Sequence, residues 1–141
     1  MQPIEHKWFS VIRNSQDLID DSQIFHKENI FAGREFNYLI SLFRKNIKIK
    51  QTLRTALNEA FKEFERVYPQ SELRQSLRSV NGSESNVKSY EEEVFSRYAK
   101  NQLADIGNGL SHAPTRSDDY QHILDDAKKR LNHIEIGRAH V

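Results

Sequence analysis

FNYLISLFRKNIKIKQTLRTALNEAFKEFERVY, residues 36–68, carries apolar side chains at Phe36, Leu39, Ile40, Phe43, Ile47, Leu53, Leu57, Ala60, Phe61, Phe64 and Tyr68. Steps of three and four residues put these on one face of a helix, where a strand would alternate. Pro69 closes the stretch, because proline lacks the N–H that the next helical turn needs. As one straight helix the stretch would be roughly 50 Å long, more than a small domain accommodates. The spacing therefore predicts a protruding helix or a break between Arg44 and Gln51, where Ile47-Lys-Ile-Lys50 loses the clean stripe.

Helical spacing continues on both sides. Ile4, Trp8, Val11, Ile12, Leu18 and Ile19 predict a helix from about Ile4 to Ile24, with Pro3 placed for its first turn. Asp20-Asp21-Ser22 and Phe25-His26-Lys27 mark its end or a bend. Beyond Pro69, residues 70–80 suit a short helix capped by Ser71, and Asn81-Gly-Ser-Glu-Ser-Asn86 reads as a polar, flexible connection. A third strong helix is expected from about Asn86 to Ile106, with Glu91, Glu92 and Glu93 complementing its N-terminal dipole and Gly107 as its stop. The last helix should open after Pro114, with Thr115 or Ser117 as N-cap, and show Tyr120, Leu124, Ala127, Leu131 and Ile134 on one face.

With five glycines and three prolines in 141 residues, the chain has too little punctuation for a strand-and-turn protein. The fold class is therefore all-α, and short connections between helices predict antiparallel neighbours in an up-and-down bundle of four to five helices. Residues 1–134 are expected to form a single helical domain. The last seven residues, Glu135-Ile-Gly-Arg-Ala-His-Val141, break the stripe. They match the in-frame translation of a common short-read sequencing adapter, so residues 135–141 are expected to be a non-native tail and the natural protein to be truncated near Ile134. Arg138 and His140 are accordingly left out of any site.

Charge and composition exclude several classes. Twenty-one basic and 20 acidic residues leave a formal net charge of +1, so no global basic field draws the chain to nucleic acid and any such contact needs a local patch. Without cysteine, disulfide scaffolds, cysteine-ligated zinc and thiol catalysis are ruled out. The N-terminus lacks the apolar run of a secretory signal, and no stretch has the roughly 18 apolar residues of a membrane helix. A cytoplasmic protein with no membrane association is expected.

The chemistry-bearing residues concentrate in Asp105-Ile-Gly-Asn-Gly-Leu-Ser-His112-Ala-Pro-Thr-Arg116. His112 has the side chain that both accepts and donates a proton near neutral pH. Asn108 can orient a phosphate oxygen, and on a helical turn the four-residue spacing puts it on the face of His112. The N–H groups opening the last helix favour an anion. A histidine that merely caps or packs has the same appearance. Arg44, Lys45, Lys48, Lys50 and Arg54 form a local basic cluster. Lys45, Lys48 and Lys50 are the candidates for nucleic-acid contact, with a plain solvated helix face as the alternative. Asp20-Asp21 and Asp118-Asp119 read as caps, His6, His26, His122 and His133 lack metal-ligand spacing, and Trp8 and the phenylalanines read as core. No metal or cofactor site is expected.

The order helix, Asn108-x-x-x-His112, short loop and amphipathic last helix resembles the HEPN superfamily, the nucleotide-binding helical domains of higher eukaryotes and prokaryotes. The likeness covers about residues 87–134, including Ala113-Pro114 and residues 117–131. The signature of that family is Arg-Asn-x-x-x-His. The resemblance implies an RNA-targeting helical domain of a toxin–antitoxin, abortive-infection or antiviral defence system. It further implies a metal-independent endoribonuclease, a homodimer with the site across its two-fold axis, and a cognate antitoxin or defence partner. In these terms His112 is the general acid or base and Asn108 orients phosphate. The family arginine is replaced by Gly107, which leaves Arg116 as the nearest substitute cation. Pairing Arg116 with His122 instead would place the motif inside the last helix, outside the family pattern. The glycine also motivates an alternative, a non-catalytic helical interaction or regulatory module. A third reading is a helical scaffold whose lysines alone face nucleic acid.

Overall fold

The computed structural model describes residues 3–49, 52–111 and 117–139. Among these there are seven α-helices and no strand: α1 (Ile4–Ile12), α2 (Gln16–Asp21), α3 (Arg34–Ile47), α4 (Leu53–Val67), α5 (Leu73–Arg78), α6 (Val87–Ser111) and α7 (Ser117–Ala139). A 3₁₀ turn at Glu84–Asn86 leads into α6. The all-α class follows, with more helices than the four or five expected.

Local capping explains the extra helices. The stretch from Ile4 to Ile24 is not one helix, because Ser15 leaves the helical conformation and its Oγ accepts from the Leu18 N–H at 3.3 Å, starting α2 afresh. The break expected between Arg44 and Gln51 falls between the end of α3 at Ile47 and the start of α4 at Leu53. There the Thr52 Oγ1 accepts from the Thr55 N–H at 3.1 Å. Ser71 holds the turn before α5, its Oγ accepting from the Leu73 N–H at 3.2 Å.

The chain divides into two compact units, residues 1–95 and 96–141. The first is built on an aromatic core. Trp8, Phe9, Phe25, Phe43 and Phe64 are buried to 1% exposure or less. Phe9 meets Phe36 and Phe43 edge-on at 5.8 Å between ring centroids, and Phe31 meets Phe36 at 4.7 Å, the arrangement that ring quadrupoles favour. Burying each such ring contributes about 1.5–3 kcal/mol. Helices α3 and α4 run antiparallel, as Tyr38 packs on Tyr68 near one end and Lys45 faces Glu63 towards the other.

Two features here depart from the sequence reading. Residues 81–86 are pinned rather than loose. The Gly82 N–H donates to Ser10 Oγ at 2.7 Å, the Ser83 N–H donates to the Tyr90 hydroxyl at 3.2 Å, and a Cβ on Gly82 would overlap the Lys7 carbonyl oxygen. Glu91 does not serve the helix dipole either. It lies past the first turn of α6, is 6% exposed, and accepts from Trp8 Nε1, Ser22 Oγ and the Gln23 N–H.

The second unit is an antiparallel pair formed by the rest of α6 with α7. Tyr98 meets His133 edge-on at 6.3 Å, and Arg130 Nε donates to Gln102 Oε1 at 2.9 Å. Ala99, Ile106, Ala127 and Ile134 are buried, while Leu103 and Leu131 are exposed. Gly107 does not end α6, which continues to Ser111. Among the described residues no glycine has a positive φ, so Gly107 does not adopt the left-handed conformation that closes a helix, and a helical glycine costs only about 1 kcal/mol against alanine. Likewise α7 does not stop near Ile134 but runs to Ala139, since Glu135, Arg138 and Ala139 are all compatible with helix.

Candidate functional site

Of the residues that the sequence singles out for chemistry, Asn108 is described and His112 and Arg116 lie outside the described residues. Asn108 sits in the last turn of α6 with its side chain exposed. Among the described residues, and apart from its own helix backbone and chain neighbours, nothing lies within 4 Å of the position a Cβ would take on Gly107. Arg130 holds Gln102, and its Nη2 stands 3.3 Å from Asp105 Oδ2.

Of the basic trio, Lys45 and Lys48 are described and Lys50 lies outside. Both described lysines are exposed, Lys45 within α3 and Lys48 as its C-cap. Lys45 Nζ is 4.0 Å from Glu63 Oε2, a solvent-screened pair of little strength. The exposed face of α3 continues from these lysines in the opposite direction. Arg34, Tyr38, Ser41, Lys45 and Lys48 are separated by steps of four, three, four and three residues. That spacing is one face of the helix.

Of this face, Arg34, Tyr38 and Ser41 line an open groove of about 720 Å³ whose walls also include Lys27, Asn37, Arg44 and Tyr68, and Lys45 and Lys48 follow them along the helix outside the groove. The far wall is the segment after α2, and α3 ties it down. Asn37 clamps Phe31 at both backbone groups, Oδ1 accepting from its N–H at 3.0 Å and Nδ2 donating to its carbonyl at 2.7 Å. Arg44 donates from Nε to the Phe25 carbonyl and from Nη2 to the Lys27 carbonyl, both at 3.0 Å, with its guanidinium over the Phe25 ring. Between these clamps Asn29 takes a left-handed turn at φ 55°, a conformation asparagine tolerates better than most residues. Arg44 belongs to the basic cluster of the sequence, yet its first task is to hold this segment.

The electrostatics are cationic. Burial lowers the affinity of the Arg44 guanidinium for its proton, and the Glu28 carboxylate opposes that shift. Arg34 is exposed and has no ion-pair partner among the described residues. Lys27 Nζ lies 5.7 Å from the centre of the Phe95 ring. Outside the groove, His6 packs on Phe36 at 5.3 Å, and its buried Nδ1 has no hydrogen-bond partner, so burial lowers its pKa. Among the described residues no group of three His, Asp or Glu is placed to hold a metal ion, and no helix is long and apolar enough to cross a membrane.

Sequence reasoning missed Arg34, Tyr38 and Tyr68 as surface features. The apolar stripe of α3 drew attention to its buried side, while the complementary exposed stripe was present in the same spacing. Comparison with family models, curated proteins and solved structures finds no match for this chain.

Proposed function

We propose that this chain is an RNA-targeting helical domain of the HEPN-like kind, an up-and-down bundle acting in the cytoplasm within a prokaryotic defence or toxin–antitoxin system. It works as a metal-independent endoribonuclease or as a weakened relative of one, and it pairs as a homodimer with a cognate partner. The observation that supports the reading is Asn108, exposed in the last turn of α6 and four residues before His112. In this mechanism Asn108 orients the phosphodiester and His112 moves the proton. Arg116 supplies the cation that Gly107 does not.

A second reading, the non-catalytic interaction module, is favoured by Gly107 together with the engagement of Arg130 by Gln102 and Asp105. The purified chain is tested on RNA in the presence of a chelator, beside His112→Ala. Cleavage that disappears in the variant is the result expected of the first reading. A folded protein that cleaves nothing in either form selects the second.

A further inference from the structure

We propose that the groove in residues 27–68, together with the exposed face of α3 that continues past it, is a binding track for single-stranded nucleic acid, with phosphates on Arg34, Lys45 and Lys48 and a base against the Tyr38–Tyr68 pair. The proposal does not depend on Asn108 or His112 being catalytic.

Length is the first argument. From Arg34 to Lys48 the helix rises about 21 Å. Cations spread over that distance overreach one small anion but match successive phosphates of an extended strand. The second argument is the order of side chains. Tyr38 lies between Arg34 and Lys45 on the exposed face of α3, and Tyr68 from the end of α4 packs on it at 5.8 Å. Both tyrosines are half-buried and both line the groove. Aromatic rings interleaved with cations are how proteins hold unpaired bases, because every base has a flat face to stack. In a duplex those faces are already covered by neighbouring bases, which selects the single strand. An acidic peptide would satisfy the cations and leave the two rings without a matching surface.

The third argument is the state of the groove wall. Arg44 and Asn37 fix the opposite segment through four hydrogen bonds to backbone, so the groove is held open in the free chain. Binding then orders little that is not already ordered. The carboxylates that oppose an anion are Glu28 near Arg44 and Glu63 near Lys45. Both are surface groups and leave Arg34 and Lys48 unopposed among the described residues.

The test is fluorescence anisotropy of the full chain with a labelled oligouridylate of about 12 nucleotides. Arg34→Glu combined with Lys48→Glu should weaken binding at least about tenfold and flatten its salt dependence. Tyr38→Leu, which keeps the bulk against Phe64, should weaken it about fivefold or more, while Tyr38→Phe should bind as the wild type does. Circular dichroism confirms that each variant is folded. The proposal is overturned if charge reversal leaves affinity unchanged, if duplex RNA binds as tightly, or if polyglutamate competes as well as the oligonucleotide. Loss on charge reversal without loss in Tyr38→Leu also overturns it, by reducing the face to a general polyanion patch. His112→Ala should bind normally, so a failure of RNA cleavage and a failure of this track give different results.

Discussion

Trp8 donates its indole N–H to the carboxylate of Glu91 at 2.8 Å, joining α1 to α6 across 83 residues of chain. The same carboxylate receives Ser22 Oγ and, at 3.0 Å, the Gln23 N–H. One buried acid thus anchors α1, the end of α2 and α6 in the first unit. Glu91→Leu removes the acceptor and strands three donors, each costing about 1–3 kcal/mol when buried. The expected loss is about 3–5 kcal/mol, against about 1 kcal/mol for Ser22→Ala. Thermal unfolding by circular dichroism checks the order: a Glu91→Leu midpoint no lower than that of Ser22→Ala would show that Glu91 does not hold the unit together.

His6 sets a pH dependence of definite sign. Its ring is pressed on Phe36 with Nδ1 buried and unpartnered, and burial lowers its pKa from the ordinary 6.5. Below pH 6.5 the unfolded chain takes up a proton that the folded chain resists. The stability associated with His6 is therefore complete above 6.5 and is lost as the pH falls from there through the lowered folded value. Melting midpoints measured between pH 7.5 and about 5 should fall in the wild type. His6→Phe should remove part of that slope, and identical slopes in the two proteins would assign the effect to other groups.

The legible part of this fold is the part encoded by local spacing. Phe36, Leu39, Ile40 and Phe43 predict the buried face of α3, and all four are buried. The loss of the stripe near Ile47 predicts the break before α4. Glu91 was illegible because its donors are 68 to 83 residues away, and no local pattern marks a carboxylate whose partners arrive through tertiary packing. Arg44 reads as one cation in a basic cluster, since the carbonyls of Phe25 and Lys27 that it holds leave no trace in composition. Of the candidate site, the sequence puts Asn108 just past a helix end at Gly107, whereas α6 runs on to Ser111. Glycine stops a helix through a left-handed backbone, and spacing alone does not say whether that conformation is adopted.

Gly82 illustrates the same limit and carries its own prediction. In sequence it belongs to a polar turn. In the fold its Cα approaches the Lys7 carbonyl so closely that a side chain has no room, and its N–H is committed to Ser10 Oγ. Gly82→Ala should force the turn off α1 and cost about 1–3 kcal/mol, as overpacking against rigid backbone does. Ser10→Ala removes the acceptor without the clash and should cost about 1 kcal/mol. Equal midpoints for Gly82→Ala and the wild type in urea unfolding would rule out the close approach.

Gly107 presents the opposite case, and its substitution separates stability from chemistry. Among the described residues a Cβ there meets nothing within 4 Å beyond its own helix, the residue is exposed, and α6 passes through it without a left-handed turn. Gly107→Ala should therefore stabilise α6 by about 0.5–1 kcal/mol, the usual gain when glycine leaves a helix interior. Gly107→Arg should fold at least as well, because arginine is a good helix former and its side chain has open space. The same change restores the Arg-Asn-x-x-x-His order ahead of His112. If Asn108 and His112 form a site that lacks only its cation, RNA cleavage without metal rises in Gly107→Arg and not in Gly107→Ala, and adding His112→Ala abolishes the gain. Stabilisation of both variants with no cleavage in either leaves Gly107 as an ordinary helical glycine and the chain as an interaction module.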